Sequence, residues 1–312
     1  MPGMCGLSLH RMVPAEIREI AVTSRISMVC AAVACFAVAY PQYEVTILPR
    51  GPHYSAYPRS ISGGFVGGSN SDFGFGGTAL LWDLESGKYT ELRAKSFDGT
   101  GIYAIAEGVQ AGYASRNASG DLHAMMWRGT SETAVDLHSD QFVATTCYGT
   151  SGNVQVGEAV LVAYEVFHAV MWTGTAESLV DLHPKDARWS WANAAWGDQQ
   201  AGSATYGGNG HAALWRGSAE SYVDLHPAGY QDSSVRGVHS GQQVGWAHSG
   251  DGYGRATIWY GENTGFTNLS PGAGWHSFAY GTNGIQQVGQ AARQAALARL
   301  QSGQVRHRVS TS

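Results

Sequence analysis

Six histidines recur at matched positions. His123, His168 and His211 each open a short apolar segment ending in tryptophan, HAMMW, HAVMW and HAALW. His138, His183 and His226 each close a VDLH tetrapeptide about a dozen residues later. Imidazole is the commonest metal-ligating side chain, and equivalent positions in a ring lie at one height around one axis. The trio His138, His183 and His226 is therefore the candidate metal set, provided three ligands can come within about 2.1 Å of one ion. The competing expectation is structural. Each histidine hydrogen-bonds within its own repeat, with the aspartate of VDLH (Asp136, Asp181, Asp224) as a ready partner.

A second recurrence is aromatic. Tyr54, Phe97, Phe142, Trp189, Tyr230 and Trp275 each fall five to seven residues after a repeated leucine. Two expectations follow: plugs that close each loop onto the next unit, or stacking platforms for sugars and other flat ligands. Trp189, Trp191 and Trp196 crowd one unit, and Trp246 and Trp275 follow. The candidate ligand-binding residues are Trp189, Trp191, Tyr230 and Trp275. No nucleophile elbow, zinc-protease helix motif or phosphate-binding loop is present, and no cofactor is expected.

The elements that must position these residues form a repeat of about 44 residues. A valine- or alanine-glycine step falls at Gly67, Gly112, Gly157, Gly202, Gly245 and Gly289. The apolar segment ends at Trp82, Trp127, Trp172, Trp215 and Trp259, and the next ends at Leu48, Leu92, Leu137, Leu182, Leu225 and Leu269. A third, less regular segment precedes each glycine step. Pieces of four to six residues separated by turn chemistry, without a long 3.6-residue period, predict an all-β chain. The period is that of a propeller blade. The expectation is a six-bladed β-propeller of four-stranded blades over residues 40–301. Its sixth blade is composite: Gln294–Leu300 supplies the missing tryptophan-type strand, and the N-terminal segment supplies the leucine strand. The tryptophans are expected to fill the spaces between blades.

Residues 302–312 read as a flexible tail. Residues 1–39 read as a signal peptide. Ile26–Ala39 is a 14-residue apolar run behind Arg18 and Arg25, and Ala37-Val38-Ala39 is a cleavage site. Lipidation at Cys35 and an uncleaved anchor are the alternatives. Cleavage would leave Cys147 alone, as a small buried apolar residue. Lys+Arg 19 against Asp+Glu 24 gives a net charge of −5, with 14% charged residues. That balance argues against nucleic acid and anionic lipid as partners, and no membrane span is expected in the mature chain.

On the HAxxW, VDLH and QVG segments the chain resembles the bacterial extracellular repeat family named for its HAF-type motif. His123-Ala124, His168-Ala169 and His211-Ala212, with tryptophan three residues on, carry the resemblance. Met125, Val170 and Ala213 stand where the family has phenylalanine, and Thr78, Arg255 and Gln294 stand in place of the histidine elsewhere. The resemblance implies export and a propeller-like repeat structure, and it carries no catalytic residues over. The function expected is an exported binding or cell-surface module for carbohydrate or a protein partner. The alternative is a secreted carbohydrate hydrolase or lyase working in the central channel.

Overall fold

The computed structural model describes residues 46–53, 55–70, 76–116, 121–161, 166–262 and 265–293. The leader at 1–39, Tyr54, the Gln294–Leu300 strand and the 302–312 tail lie outside the described residues.

The chain forms consecutive antiparallel meanders. The first sheet is β1 (Ala56–Ser62), β2 (Phe65–Asn70), β3 (Ala79–Asp83) and β4 (Lys88–Leu92). The second is β5 (Gly99–Ala106), β6 (Val109–Arg116), β7 (Asp121–Trp127) and β8 (Val135–Asp136). The third is β9 (Ala144–Thr150), β10 (Gln155–Leu161), β11 (Val166–Trp172) and β12 (Val180–Asp181). The fourth is β13 (Trp189–Trp196), β14 (Gln199–Tyr206), β15 (Asn209–Trp215) and β16 (Val223–Asp224). The fifth is β17 (Asp232–His239), β18 (Gln242–His248), β19 (Gly254–Tyr260) and β20 (Phe266–Asn268). A last pair, β21 (Trp275–Thr282) and β22 (Gln287–Arg293), follows. Helical structure among the described residues is confined to three single 3-10 turns, and no helix there is long and apolar enough to cross a membrane.

Each sheet packs face-on against the next, and the first strands of successive sheets touch one another. The first strand of each sheet is therefore innermost, around a common centre. That radial arrangement is a β-propeller.

The joints between sheets are apolar. Trp82, Trp127, Trp172, Trp215 and Trp259 are almost completely buried. Trp172 of β11 packs with Val109, Ala111, Met126 and Leu137 of the preceding sheet and Cys147 of its own. Leu92 meets Trp127, Leu182 meets Trp215 and Leu225 meets Trp259 in the same way. The repeated leucine of one unit thus closes on the repeated tryptophan of the next. Cys147 is fully buried, and burial pushes its thiol up to about 12.

Polar groups lock the same joints. The backbone N–H groups of Ala79, Ala124, Ala169, Ala212 and Ala256 donate to the hydroxyls of Thr100, Thr145, Ser190, Ser233 and Ser277 on the next sheet, at 2.8 to 3.0 Å. In the three central joints that hydroxyl also faces a histidine Nδ1. The distances are 3.0 Å for His138–Thr145 and 2.8 Å for both His183–Ser190 and His226–Ser233. Nε2 of His183 and of His226 donates to the carbonyls of Ala187 and Tyr230, both at 3.0 Å. Nε2 of His183 and of His226 therefore carries a proton, and when the ring is neutral its Nδ1 accepts from the hydroxyl.

Buried glutamines hold the outer turns. Oε1 of Gln110, Gln155, Gln200 and Gln243 accepts the N–H of Gly129, Gly174, Gly217 and Gly261.

Two outcomes follow. Trp172→Ala removes the centre of one joint and is expected to lower unfolding free energy by about 3–5 kcal/mol, read from urea denaturation. Burial, above all, holds His138, His183 and His226 below the ordinary imidazole value of 6.5. The folded chain then binds those protons less readily than the unfolded one. Their contribution is complete above pH 6.5 and lost as pH falls below it. The urea midpoint should drop between about pH 7.5 and about pH 5.5. A midpoint constant over that range contradicts the joint described.

Candidate functional site

The inner strands carry the same irregularity in every sheet. The β1–β2 pairing shifts between Pro58 and Ser60, leaving Arg59 as the extra residue of a bulge. The shift in β5 leaves Tyr103, in β9 Tyr148, in β13 Asn193, in β17 Arg236 and in β21 Tyr280. A bulge re-aims one side chain out of the pleat. Here all six re-aimed side chains line one cavity of about 980 Å³ at the centre of the sheets.

The glycine step exists to permit this bulge. A Cβ on Gly112, Gly157, Gly202, Gly245 or Gly289 would run into the backbone carbonyl of the residue two before the bulge, Gly101, Thr146, Trp191, Ser234 or Phe278 respectively. In the first sheet the residue meeting that description is Gly68, against Tyr57, and not Gly67. The repeat therefore begins one residue later than the valine-glycine pattern indicates. Every bulge residue then precedes its glycine by nine positions.

The cavity wall combines cations, aromatic rings and hydroxyls. Trp191 and Trp246 line it beside Ser203, Thr205, Ser233 and Ser234. Tyr148 donates from its hydroxyl to Oε1 of Glu158 at 2.6 Å, and the Trp191 side chain donates to the same carboxyl. Glu158 thus holds both rings in place. Burial raises the Glu158 carboxyl above its ordinary value, against the opposing effect of those two donors. Burial also raises Tyr103, Tyr113 and Tyr148, so their hydroxyls stay protonated near neutrality. Asn193 Nδ2 donates to the carbonyl of Val235 at 2.8 Å, tying one bulge to the next sheet. The Arg59 guanidinium sits 5.8 Å from the centre of the Tyr103 ring. Among the described residues no carboxylate forms an ion pair with Arg59 or Arg236, and the cavity lining contains no Asp, Glu or His.

Of the candidate aromatics, Trp191 lines the cavity and Trp189, Tyr230 and Trp275 do not. Trp189 lies under the Arg188 guanidinium at 4.1 Å and edge-on to Phe167. Tyr230 meets Phe266 edge-on at 5.6 Å, and Trp275 lies beside Arg293 at 5.2 Å. Phe97 and Phe142 pack on the joints. These residues sit where the loop enters the inner strand, as plugs.

The structure does not bring His138, His183 and His226 together. Each occupies a separate joint, and no group of three or more His, Cys, Asp or Glu side chains among the described residues could hold a metal ion. The VDLH aspartates serve the other histidines. His123, His168 and His211 meet Asp136, Asp181 and Asp224 through Nδ1 at 2.8 Å. Each of these rings stacks on the VDLH histidine of its own unit, at 3.9, 3.8 and 4.1 Å between centroids. The link from the VDLH histidine runs to the next sheet and not, as expected, within its own unit.

The six bulge residues escape identification by recurrence because their types differ: Arg, Tyr, Tyr, Asn, Arg and Tyr. Their signal is the fixed nine-residue distance to the glycine.

No family model matches the chain, and no curated protein matches it. Solved structures similar to it include a TolB-type protein of Agrobacterium tumefaciens, with TM-score 0.50, 11% identity and coverage of 72% of this chain and 84% of that one. TolB of Acinetobacter baumannii matches with TM-score 0.46 and 14% identity over 68% of this chain and 53% of that one. The chain thus spans about half the length of the latter protein. The β-propeller domain of the Trilobed protease from Pyrococcus furiosus matches with TM-score 0.49 and 9% identity over 80% of each chain. At these identities the likeness is one of fold.

Gly202→Ala tests the bulge. The added methyl meets backbone, which cannot rotate away, so a stability loss of at least about 1–3 kcal/mol is expected in urea denaturation. An unchanged midpoint would mean that β13 and β14 pair without the bulge.

Proposed function

We propose that this protein is an exported six-bladed propeller that binds a carbohydrate in its central cavity. The observation carrying this reading is the convergence of six bulge side chains, one from each inner strand, on a cavity that also presents Trp191 and Trp246. Aromatic faces beside hydroxyl and amide groups suit a pyranose, which offers C–H faces and a rim of hydroxyls. Hydrolysis would need two carboxyl groups flanking a glycosidic bond. Two carboxyls touch the lining from behind, Glu158 engaged by Tyr148 and Trp191 and Asp232 accepting from the Gly210 N–H at 2.9 Å, and neither lines the cavity, which favours binding over hydrolysis.

Six blades require the β21–β22 pair to be completed by the two chain ends. Leu48 supports this closure. It packs against the joint of Leu80 and Trp82, as Leu92 packs in the joint of Trp127. Trp82 Nε1 donates to the Pro49 carbonyl at 2.7 Å, and Trp127 Nε1 donates to the Arg93 carbonyl at 3.2 Å. The segment around Leu48 thus stands to the first sheet as β4 stands to the second. Export rests on the apolar run at Ile26–Ala39 and its cleavage site, and on the resemblance to the HAF-type extracellular repeats.

The test is a thermal-shift and tryptophan-fluorescence screen against oligosaccharides. A ligand of the native state raises the apparent melting temperature by mass action. Trp191→Ala and Trp246→Ala are each expected to weaken binding about three- to tenfold. Trp275→Ala, away from the cavity, should leave it unchanged. Absence of any shift or fluorescence change across neutral and acidic oligosaccharides would overturn the reading.

A further inference from the structure

Resting on the carbohydrate-binding reading above, we propose that the sugar this cavity takes is acidic: an oligosaccharide bearing carboxylates, which Arg59 and Arg236 engage while its rings lie on Trp191 and Trp246. The chain as a whole is acidic, with 24 Asp and Glu against 19 Lys and Arg, yet the cavity wall reverses that sign. It holds two arginines and no carboxylate. Both arginines are bulge residues, aimed at the centre by backbone geometry. Both are exposed to it, and neither is neutralised by an acidic side chain among the described residues.

Arg216 pairs with Asp198 and Glu262, and Arg255 with Asp251, whereas Arg59 and Arg236 carry no carboxylate partner among the described residues, and Arg59 lies 5.8 Å from the Tyr103 ring. The planar guanidinium offers a paired set of donors that matches a carboxylate. Tyr280 lies on the inner strand that follows Arg236, and its phenol adds a further polar group to the same wall.

An acidic peptide has the same charge, and the geometry argues against it. A peptide entering the channel would pair with the free edge of an inner strand. Every inner strand is broken by a bulge at the same register, which blunts that edge against strand addition. A cavity of about 980 Å³ accommodates a short oligosaccharide, at the upper end of the range of roughly 300–1,000 Å³ for small-ligand sites.

The experiment is calorimetric titration of the full chain with three probes: a trimer of galacturonic acid, the same trimer as its methyl ester, and a pentaglutamate peptide. The acid should bind at least about tenfold more tightly than the ester, and Arg59→Gln and Arg236→Gln should each remove about tenfold of the affinity for the acid with little effect on the ester. Circular dichroism of both variants should match the parent, since both side chains are exposed. Equal affinity for acid and ester would overturn the acidic assignment and leave the carbohydrate reading standing. Binding of pentaglutamate alone would overturn both in favour of a peptide ligand. Binding of none of the three, with binding of a neutral oligosaccharide of another type, would overturn the acidic assignment alone.

Discussion

One steric constraint organises the molecule: at the glycine step of each unit, the neighbouring inner strand comes too close for any side chain. Gly157 is the clearest case, with its Cα facing the Thr146 carbonyl where a Cβ would overlap it. That approach is possible because β9 takes on an extra residue there, and the extra residue is Tyr148. Repeated around the sheets, the pairing of glycine and bulge gives every inner strand one side chain that leaves the pleat for the centre. The propeller holds the bulges at one height, and the bulges in turn define the cavity.

The joints and the cavity divide the work between constant and variable positions. At the joints the residues recur: tryptophan on leucine, and alanine N–H on a serine or threonine hydroxyl. Each joint must close in the same geometry, so the same residues serve. At the bulges the backbone recurs and the side chain does not. A cavity lined by six copies of one strand becomes asymmetric only if the copies diverge at the positions that face it. Arg236 and Tyr280 come from successive inner strands, Tyr103, Tyr148 and Asn193 from three others in succession, and Arg59 lies beside Tyr103.

The scaffold was legible because repetition and burial leave the same mark. Five tryptophans at one register announce a packing position, and the structure buries all five. The histidines are legible as a pattern, but the recurrence does not bring His138, His183 and His226 together as a metal set. Equivalent residues in a ring share height and orientation but stand a joint apart, and His183 is already satisfied by Ser190 and Ala187. Trp191 was found through local crowding. Arg59, Tyr103, Tyr148, Asn193, Arg236 and Tyr280 were not, because a search for recurrence discards positions where residue type changes. Gly68 was missed for a related reason: in Gly67-Gly68 the pattern admits either residue, and only the bulge decides between them.

Thiol accessibility tests the bulge register most directly. Cysteine is placed singly at positions 59, 103, 148, 193, 236 and 280, and in parallel at 102, 192, 235 and 279. Native Cys147 serves as the buried reference. The account predicts that a small charged thiol reagent labels the first six readily in the folded protein. It predicts that positions 102, 192, 235 and 279, occupied by the buried Ile102, Ala192, Val235 and Ala279, stay protected as Cys147 does. Equal labelling of bulge positions and their neighbours, or protection of the bulge positions, would contradict it.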